Sequence, residues 1–545
     1  MRQEGYIHFS PEKTIEELES TKMEIVVDPK SGLIVKVGTP DNVRDWIKAQ
    51  KEQGKTVQEK IESGIPIAGL TDAHSHPIVY STLELMEPIS LAGISSKKEI
   101  LEKIKESALG RDPSKILVAI NLDTSKVNEL TMGDIEEVLG DTRAMIIESS
   151  YHGATVSRKM AENLKNFTKD IKELPGYFNK NGQITGELVI KGLELAESDY
   201  SIDKIVESAE KNLDKYLSQG ITAVHDMQPA TLNQFIAELM LRKKWETERK
   251  TDFPIRKIYL NSPMLKRITS LLPEFEKSGL LTRDEIPELL GLKLYADGSF
   301  EVETAKLSKP YLDTGKTGSF YDKVADINEA MKIAAEHGIS SVAMHAIGDA
   351  GIQRAIKTAR DWIKIAKERK ISSKPFRIEH FDLPLPIEST LKEVKDLGIW
   401  LSVQPNFLLD YIYKDKLGER TRLICPHQEI LNEKIPMMFG TDGMPESMLY
   451  AIYLATHAVE PAQRLSLTDA LLAASLTVSH FEGSNRGLLK EGQKADIILV
   501  TPALLEKLSS GKADVDESKT NEKIAELEGE IKKVYKNGVE VYNKK

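Results

Sequence analysis

Short apolar runs of a few residues alternate along this chain with stretches in which apolar residues recur every three or four positions. The first pattern reads as buried strands and the second as amphipathic helices packed against them. Eight of the runs end in a polar or chemically capable residue: IPIAGLTDAHSH (65–76), GITAVHDM (220–227), IRKIYLNS (255–262), GLKLYADGS (291–299), SSVAMHAIGD (340–349), FRIEHFD (376–382), IWLSVQPN (399–406) and IPMMFGTDG (435–443). Helical patterns fill the gaps, as in INEAMKIAAEHG (327–338), whose glycine is a stop signal. Strands alternating with helices build a parallel sheet, and eight units predict an α/β fold with a closed (β/α)8 TIM-type barrel.

The first gap breaks this rhythm. About 140 residues separate the first two strands, far more than one βα unit needs. An inserted α+β domain is therefore expected at 82–198, with strands at KILVAINLD and RAMIIESSYHG and a turn at Asn181-Gly182. Short alternating segments at both ends, MEIVVDPKSGLIVKVG (23–38), KADIILV (494–500) and IKKVYKNGVEVY (531–542), predict one small composite β-sandwich domain. The chain thus divides into 1–64 (small β-domain), 65–81 (first barrel strand), 82–198 (lid-like insertion), 199–484 (remaining barrel) and 485–545 (small β-domain again).

Composition narrows the function. A formal net charge of −10 argues against a general nucleic-acid binder, which works by neutralising phosphates. No run approaches the ~18 apolar residues of a membrane span, and the N-terminus lacks a basic segment followed by an apolar one. With a single cysteine, Cys425, these features suit the cytoplasm. Small-molecule chemistry is the expectation, and a homodimer is a possible assembly.

The candidate chemistry lies at the strand ends, where barrels of this type place their functional residues. His74 and His76 in TDAHSHP are two apart and share a side of the first strand. Such a pair alone carries little weight and needs partners elsewhere in the chain. Lys293 follows in the fourth strand, His345 and His380 end the fifth and sixth, and Asp442 ends the eighth. Imidazole and carboxylate together suit zinc and related divalent ions.

The order HxH, Lys, His, His, Asp on strands one, four, five, six and eight resembles the metal-dependent amidohydrolase superfamily. GLKLYADGS, AMHAIGDAG, RIEHFDL, SVQPNF and GTDGMPE are most similar to its amidohydrolase family 3 branch, which includes N-substituted formamide deformylases. The resemblance implies one or two divalent metals: His74 and His76 on the first, His345 and His380 on the second. It further implies a carbamate on Lys293, derived from CO2 and bridging the two, with Asp442 on the first metal. Asp442 would be the general base and then acid. His152 in SSYHGATVS matches the family's lid histidine and is expected to touch the substrate over the barrel mouth.

His225 and Asp226, ending the second strand, are expected at the mouth in a supporting hydrogen-bonding role. Asp297 is expected to orient a ligand or the loop after the fourth strand. Relatives commonly read DGSLGSRTA where this chain reads DGSFEVETA, which puts Glu301 and Glu303 in that loop and predicts a neutral or cationic substrate. The expected activity is hydrolysis of a non-peptide carbon–nitrogen bond in an amide, formamide or cyclic amide. Deaminase, esterase or lactonase chemistry would use the same residues, and a catalytically silent scaffold is the alternative from another class.

Overall fold

The computed structural model describes residues 5–11, 24–62, 64–124, 127, 130–149, 151, 153–167, 179–409, 412–509 and 519–544. Its centre is an eight-stranded sheet, numbered here β1 (Leu70–Ser75), β2 (Ile221–Asp226), β3 (Ile255–Leu260), β4 (Leu290–Tyr295), β5 (Val342–Ala346), β6 (Arg377–His380), β7 (Trp400–Val403) and β8 (Met437–Phe439). Neighbours in this order are all parallel. The hydrogen-bonded ladder runs unbroken from β1 to β8 and curls into a nearly closed barrel.

The closing seam is made differently from the other seven contacts. Thr441, just past β8, donates its amide and its hydroxyl to the two oxygens of Asp72 in β1 (3.0 and 2.5 Å). The Asp442 amide donates to the His74 carbonyl (2.7 Å). This approach requires glycine at 440, where a Cβ would stand 2.4 Å from the His74 Cβ.

Outside the strands lies one continuous apolar core, with Leu213, Phe235, Ile258, Leu292, Trp362 and Ile378 fully or almost fully buried. Each helix contributes a stripe, as in Ile202–Ser218, which buries Ile205, Ala209, Leu213, Tyr216 and Leu217 at helical spacing. Its N-cap, Ser201, accepts from the Lys204 amide (3.4 Å). The helix Val324–Glu336 ends ahead of Gly338, which takes φ +70° as the stop signal there predicts.

The run 65–76 is two strands rather than one. Ile65–Ala68 pairs antiparallel with Ile497–Val500 in a separate four-stranded sheet, completed by Ile531–Lys536 and Val539–Asn543. The chain crosses into the barrel at Gly69, where a Cβ would lie 2.5 Å from the Thr222 hydroxyl. A second four-stranded sheet holds Leu33–Gly38, Glu24–Asp28, Gly5–Pro11 and Thr56–Glu62. Ile25, Val27 and Ile34 of that sheet share a buried cluster with Ile497, Leu499 and Tyr535 of the other.

Between β1 and β2 lies a five-stranded sheet in the order Gln183–Thr185, Gly153–Val156, Ala144–Glu148, Leu117–Leu122, Ile89–Ser90. It has its own apolar core, including Val118, Met145, Ile147 and Leu164. The helix Glu187–Glu197 follows this sheet, and its Leu188, Val189 and Leu193 are buried in the same core. No helix among the described residues is long and apolar enough to cross a membrane.

Candidate metal centre

At the carboxyl ends of the barrel strands lies a cavity of about 480 Å³, within the usual range for small-molecule sites. His74, His76, Lys293, His345, His380 and Asp442 all line it. Six residues spread over 369 positions of sequence are thus gathered by five strand ends, the arrangement that the barrel topology dictates.

The tightest group is His74, His380 and Asp442, each of which offers one ligand atom within 4.8 Å of the others. This trio cuts across the two histidine pairs expected from the sequence. His76 Nε2 lies 3.1 Å from Asp442 Oδ1, and His74 Nε2 lies 3.5 Å from the same oxygen. The Lys293 amine sits 3.4 Å from His74 Nε2. The rings of His345 and His380 are 4.3 Å apart, and those of His74 and His380 5.0 Å. His345 Nε2 donates to the Gly298 carbonyl (3.1 Å), which fixes the ring in the loop after β4.

Backbone conformation aims two of these side chains. His380 and Asp442 have φ of +70° and +55°, a region non-glycine residues adopt at a cost of about 1–3 kcal/mol. Asp442 is held there by its own amide on His74 and by the Tyr80 hydroxyl, which donates to its carbonyl (2.9 Å).

Electrostatics leave the imidazoles ready to act as ligands. Burial, reinforced by Lys293, holds His74 well below the usual histidine range, and burial with His345 does the same to His380. Both are neutral, with lone pairs available. Burial also brings the Lys293 amine down to about 8 against the pull of Glu379 and Asp442. Burial alone would raise the Asp442 carboxyl, but the hydrogen bond from His76 and the nearby Lys293 amine outweigh it and hold the group ionised. Among the described residues, His380 Nδ1 is buried with no hydrogen-bond partner. A buried orphan nitrogen beside a carboxylate and a second neutral imidazole is the donor set a divalent cation satisfies.

Behind the trio runs a chain of buried charge that the sequence reading missed. His74 Nδ1–H donates to Glu379 Oε2 (2.6 Å), so its Nε2 faces the centre as an acceptor. Arg377 grips Glu379 through Nε and Nη2 (2.5 and 2.8 Å), with all three side chains at most 1% exposed. The same guanidinium donates to the Ala73 carbonyl (2.8 Å) and to His225 Nδ1 (2.9 Å), whose Nε2–H in turn donates to Glu482 (3.0 Å). His225 is therefore inside the barrel below the metal centre, and not at the mouth. A signal for this chain exists in RIEH: charges at alternate positions of an otherwise apolar strand mark the face turned into the barrel.

Three expected substrate contacts lie elsewhere. Asp297 is fully buried and accepts from the amides of Lys306, Ile347 and Gly348 (2.8, 3.0 and 2.9 Å), so it pins loops together. Glu301 accepts from the Tyr413 hydroxyl (2.9 Å), and Glu303 pairs with Lys416 (3.1 Å). None of the three lines the cavity. Lys416 neutralises Glu303, so this carboxylate does not select a cationic substrate. His152 lies outside the described residues; its neighbour Tyr151 lines the cavity.

The cavity wall has two characters. Val79, Val189, Ile190, Leu193 and Met444 make an apolar side, three of them on the helix Glu187–Glu197. Gln228 and Tyr295, joined by a hydrogen bond from the tyrosine hydroxyl to the amide oxygen (2.5 Å), add a polar patch to the wall.

The chain is 24% identical over 516 residues to the protein LONG AFTER FAR-RED 3 of Arabidopsis thaliana, an alignment covering 87% of this chain and 83% of that one. Its fold is shared by uncharacterized metal-dependent hydrolases of Pyrococcus horikoshii OT3 (TM-score 0.67, 22% identity) and Pyrococcus furiosus (0.63, 21%). Those alignments cover 91% and 90% of this chain and 97% of each structure. The sequence profile of the amidohydrolase family matches residues 64–542, and this chain belongs to the amidohydrolase family.

Proposed function

We propose that this chain is a metal-dependent hydrolase that cleaves a non-peptide carbon–nitrogen bond, in an amide, formamide or cyclic amide, of a small molecule. The observation that carries the reading is the trio His74, His380 and Asp442 at the floor of a half-apolar cavity. When bound, a divalent ion such as zinc polarises a carbonyl and lowers the pKa of water toward neutrality. His74 and His380 would hold it with Asp442, and His76, His345 and Lys293 stand within reach of a second ion. Two further features favour Lys293 as a carbamate: its amine is buried beside His74, and a pKa of about 8 leaves a neutral fraction able to attack CO2.

The remaining steps belong to the chain's own groups. Asp442 Oδ1 takes the proton from the attacking water and returns it to the leaving nitrogen. Glu379 keeps His74 in the tautomer that presents Nε2, and Arg377 keeps Glu379 ionised beside it. Gln228 and Tyr295 offer hydrogen bonds that orient a polar substrate end, while Val189, Ile190 and Leu193 exclude water from the other.

The test is turnover of a panel of N-formyl, N-acyl and cyclic amides, with ring amidines, esters and lactones alongside, by protein loaded with zinc, iron, manganese or nickel, with the products identified. Release of a free amine and a carboxylate is expected. Release of ammonia from a ring amidine, or turnover confined to esters and lactones, would reassign the bond that is cleaved. No turnover and no bound metal would return the scaffold reading.

A further inference from the structure

The seventh strand contributes no residue to the cavity lining, although it lies between β6, which ends in His380, and β8, which leads into Asp442. What β7 offers is the segment that follows it, the end of the SVQPNF motif. The chain leaves the strand at Val403, whose carbonyl accepts from the Gly440 amide (3.0 Å), and winds into the short 3-10 turn Pro405–Leu409. This turn packs against the buried helix Met448–His457, which gives it a rigid backing.

Asn406, in this turn, is buried and grips the loop that carries Asp442. Its side-chain nitrogen donates to the Thr441 carbonyl (3.1 Å) and to the Pro445 carbonyl (3.2 Å), which bracket Asp442 from both sides. Between them the chain makes a tight turn, closed by the Met444 amide on the Thr441 carbonyl (3.1 Å), in which Asp442 and Gly443 take φ of +55° and +71°. A non-glycine residue stays in that conformation only where its surroundings over-determine it, and Asn406 fixes both ends of the turn. The same amide leaves its oxygen, Oδ1, buried without a hydrogen-bond partner among the described residues. An unmet buried acceptor is costly, so what this asparagine contributes is its two donated bonds. Beside it, the Phe407 ring lies nearly parallel to the His380 ring, at 25° with centroids 6.2 Å apart.

We propose that Asn406 is a positioning residue for the metal centre: by clamping Thr441 and Pro445 it holds the Asp442 carboxylate where it meets His74 and His380. It does so from outside the cavity, which it does not line. The inference rests on the reading of His74, His380 and Asp442 as metal ligands. Their ligand atoms already lie within 4.8 Å of one another, and coordination distances tolerate only about 0.2 Å of error. Without the clamp the turn is free to relax toward negative φ, which carries the carboxylate away from the two imidazoles.

The experiment is competition for zinc between a chelator and the full chain, with and without Asn406→Leu, in the native and the Asp442→Asn backgrounds. Leucine fills nearly the same space and donates nothing. In the native background it should weaken zinc binding about tenfold, the scale of partners that orient a ligand. With Asp442→Asn the oxygen being positioned is neutral and a weaker ligand, so the same substitution should cost less than about threefold. Asn406→Ser, a gentler change that keeps one donor, should fall between the leucine variant and the unaltered protein, and it carries the test if the leucine variant does not fold. A purely structural role predicts the same loss in both backgrounds. That result, or unchanged affinity in both Asn406 variants, would overturn the proposal and leave the metal centre standing. A folded, unaltered protein that binds no zinc or other divalent ion would remove the metal-centre reading itself, and the proposal with it.

Discussion

Asp442 stands where the proposed proton transfer and the proposed coordination meet, and the two roles separate on substitution. Asp442→Asn keeps an oxygen for the metal but removes the base, so hydrolysis should fall by at least about a hundredfold with only a modest loss of bound metal. Turnover close to the unaltered rate would remove Asp442 from the mechanism. Glu379→Gln should leave the fold intact and weaken metal binding about 10–100-fold, read by competition with a chelator, since the His74 tautomer is no longer enforced. Arg377→Met is a different kind of change: it strands Glu379 as an uncompensated buried charge and should cost about 3–5 kcal/mol in denaturant unfolding. The six cavity-lining candidates were legible because each lies in or just past a barrel strand. Glu303 was misread for an equally physical reason. Its partner, Lys416, is 113 residues away, and no local pattern shows a loop charge being neutralised from that distance.

Strand ends position the site, and the way two elements join decides whether it forms. At the β8–β1 seam, Gly440→Ala would drive a Cβ into His74, so loss of metal together with loss of stability is expected. The helix Glu187–Glu197 supplies the apolar wall, and truncating Val189 and Leu193 to alanine should raise KM for amides with apolar substituents while leaving kcat nearly unchanged. In the same five-stranded sheet, burial pushes the Glu148 carboxyl up to about 7. The folded state then holds a proton that the unfolded state has released above about pH 4.5. Its contribution to stability is full below that pH and is lost as pH rises through 7. Glu148→Gln should thus unfold at higher temperature than the unaltered protein near pH 8 and nearly together with it near pH 5, a gain of roughly 2 kcal/mol at the upper pH. The barrel strands were readable because buried parallel strands are apolar and end in function. The division at Gly69 was not, because IPIAGLTDAHSH is one unbroken pattern and only the approach of Thr222 and Asp496 shows where it must turn.

Across the whole molecule, the barrel interior carries a line of buried polar groups from Glu482 through His225, Arg377 and Glu379 to His74. This inverts the usual economy of a barrel core, which is filled by branched apolar side chains. The line is stable because every charge in it meets an opposite charge or a hydrogen bond, and it orients the ligands from beneath. A bound ion adds to that stability by mass action, so stripping the metal with a chelator should lower the unfolding midpoint. The most direct measurement is metal content per chain after exhaustive dialysis, on the unaltered protein and on His380→Ala. The account predicts at least one divalent ion per chain in the first and a large loss in the second. A folded, unaltered protein that retains no metal, or a His380→Ala variant that retains all of it, would contradict the assignment of this cavity as a metal-dependent hydrolytic centre.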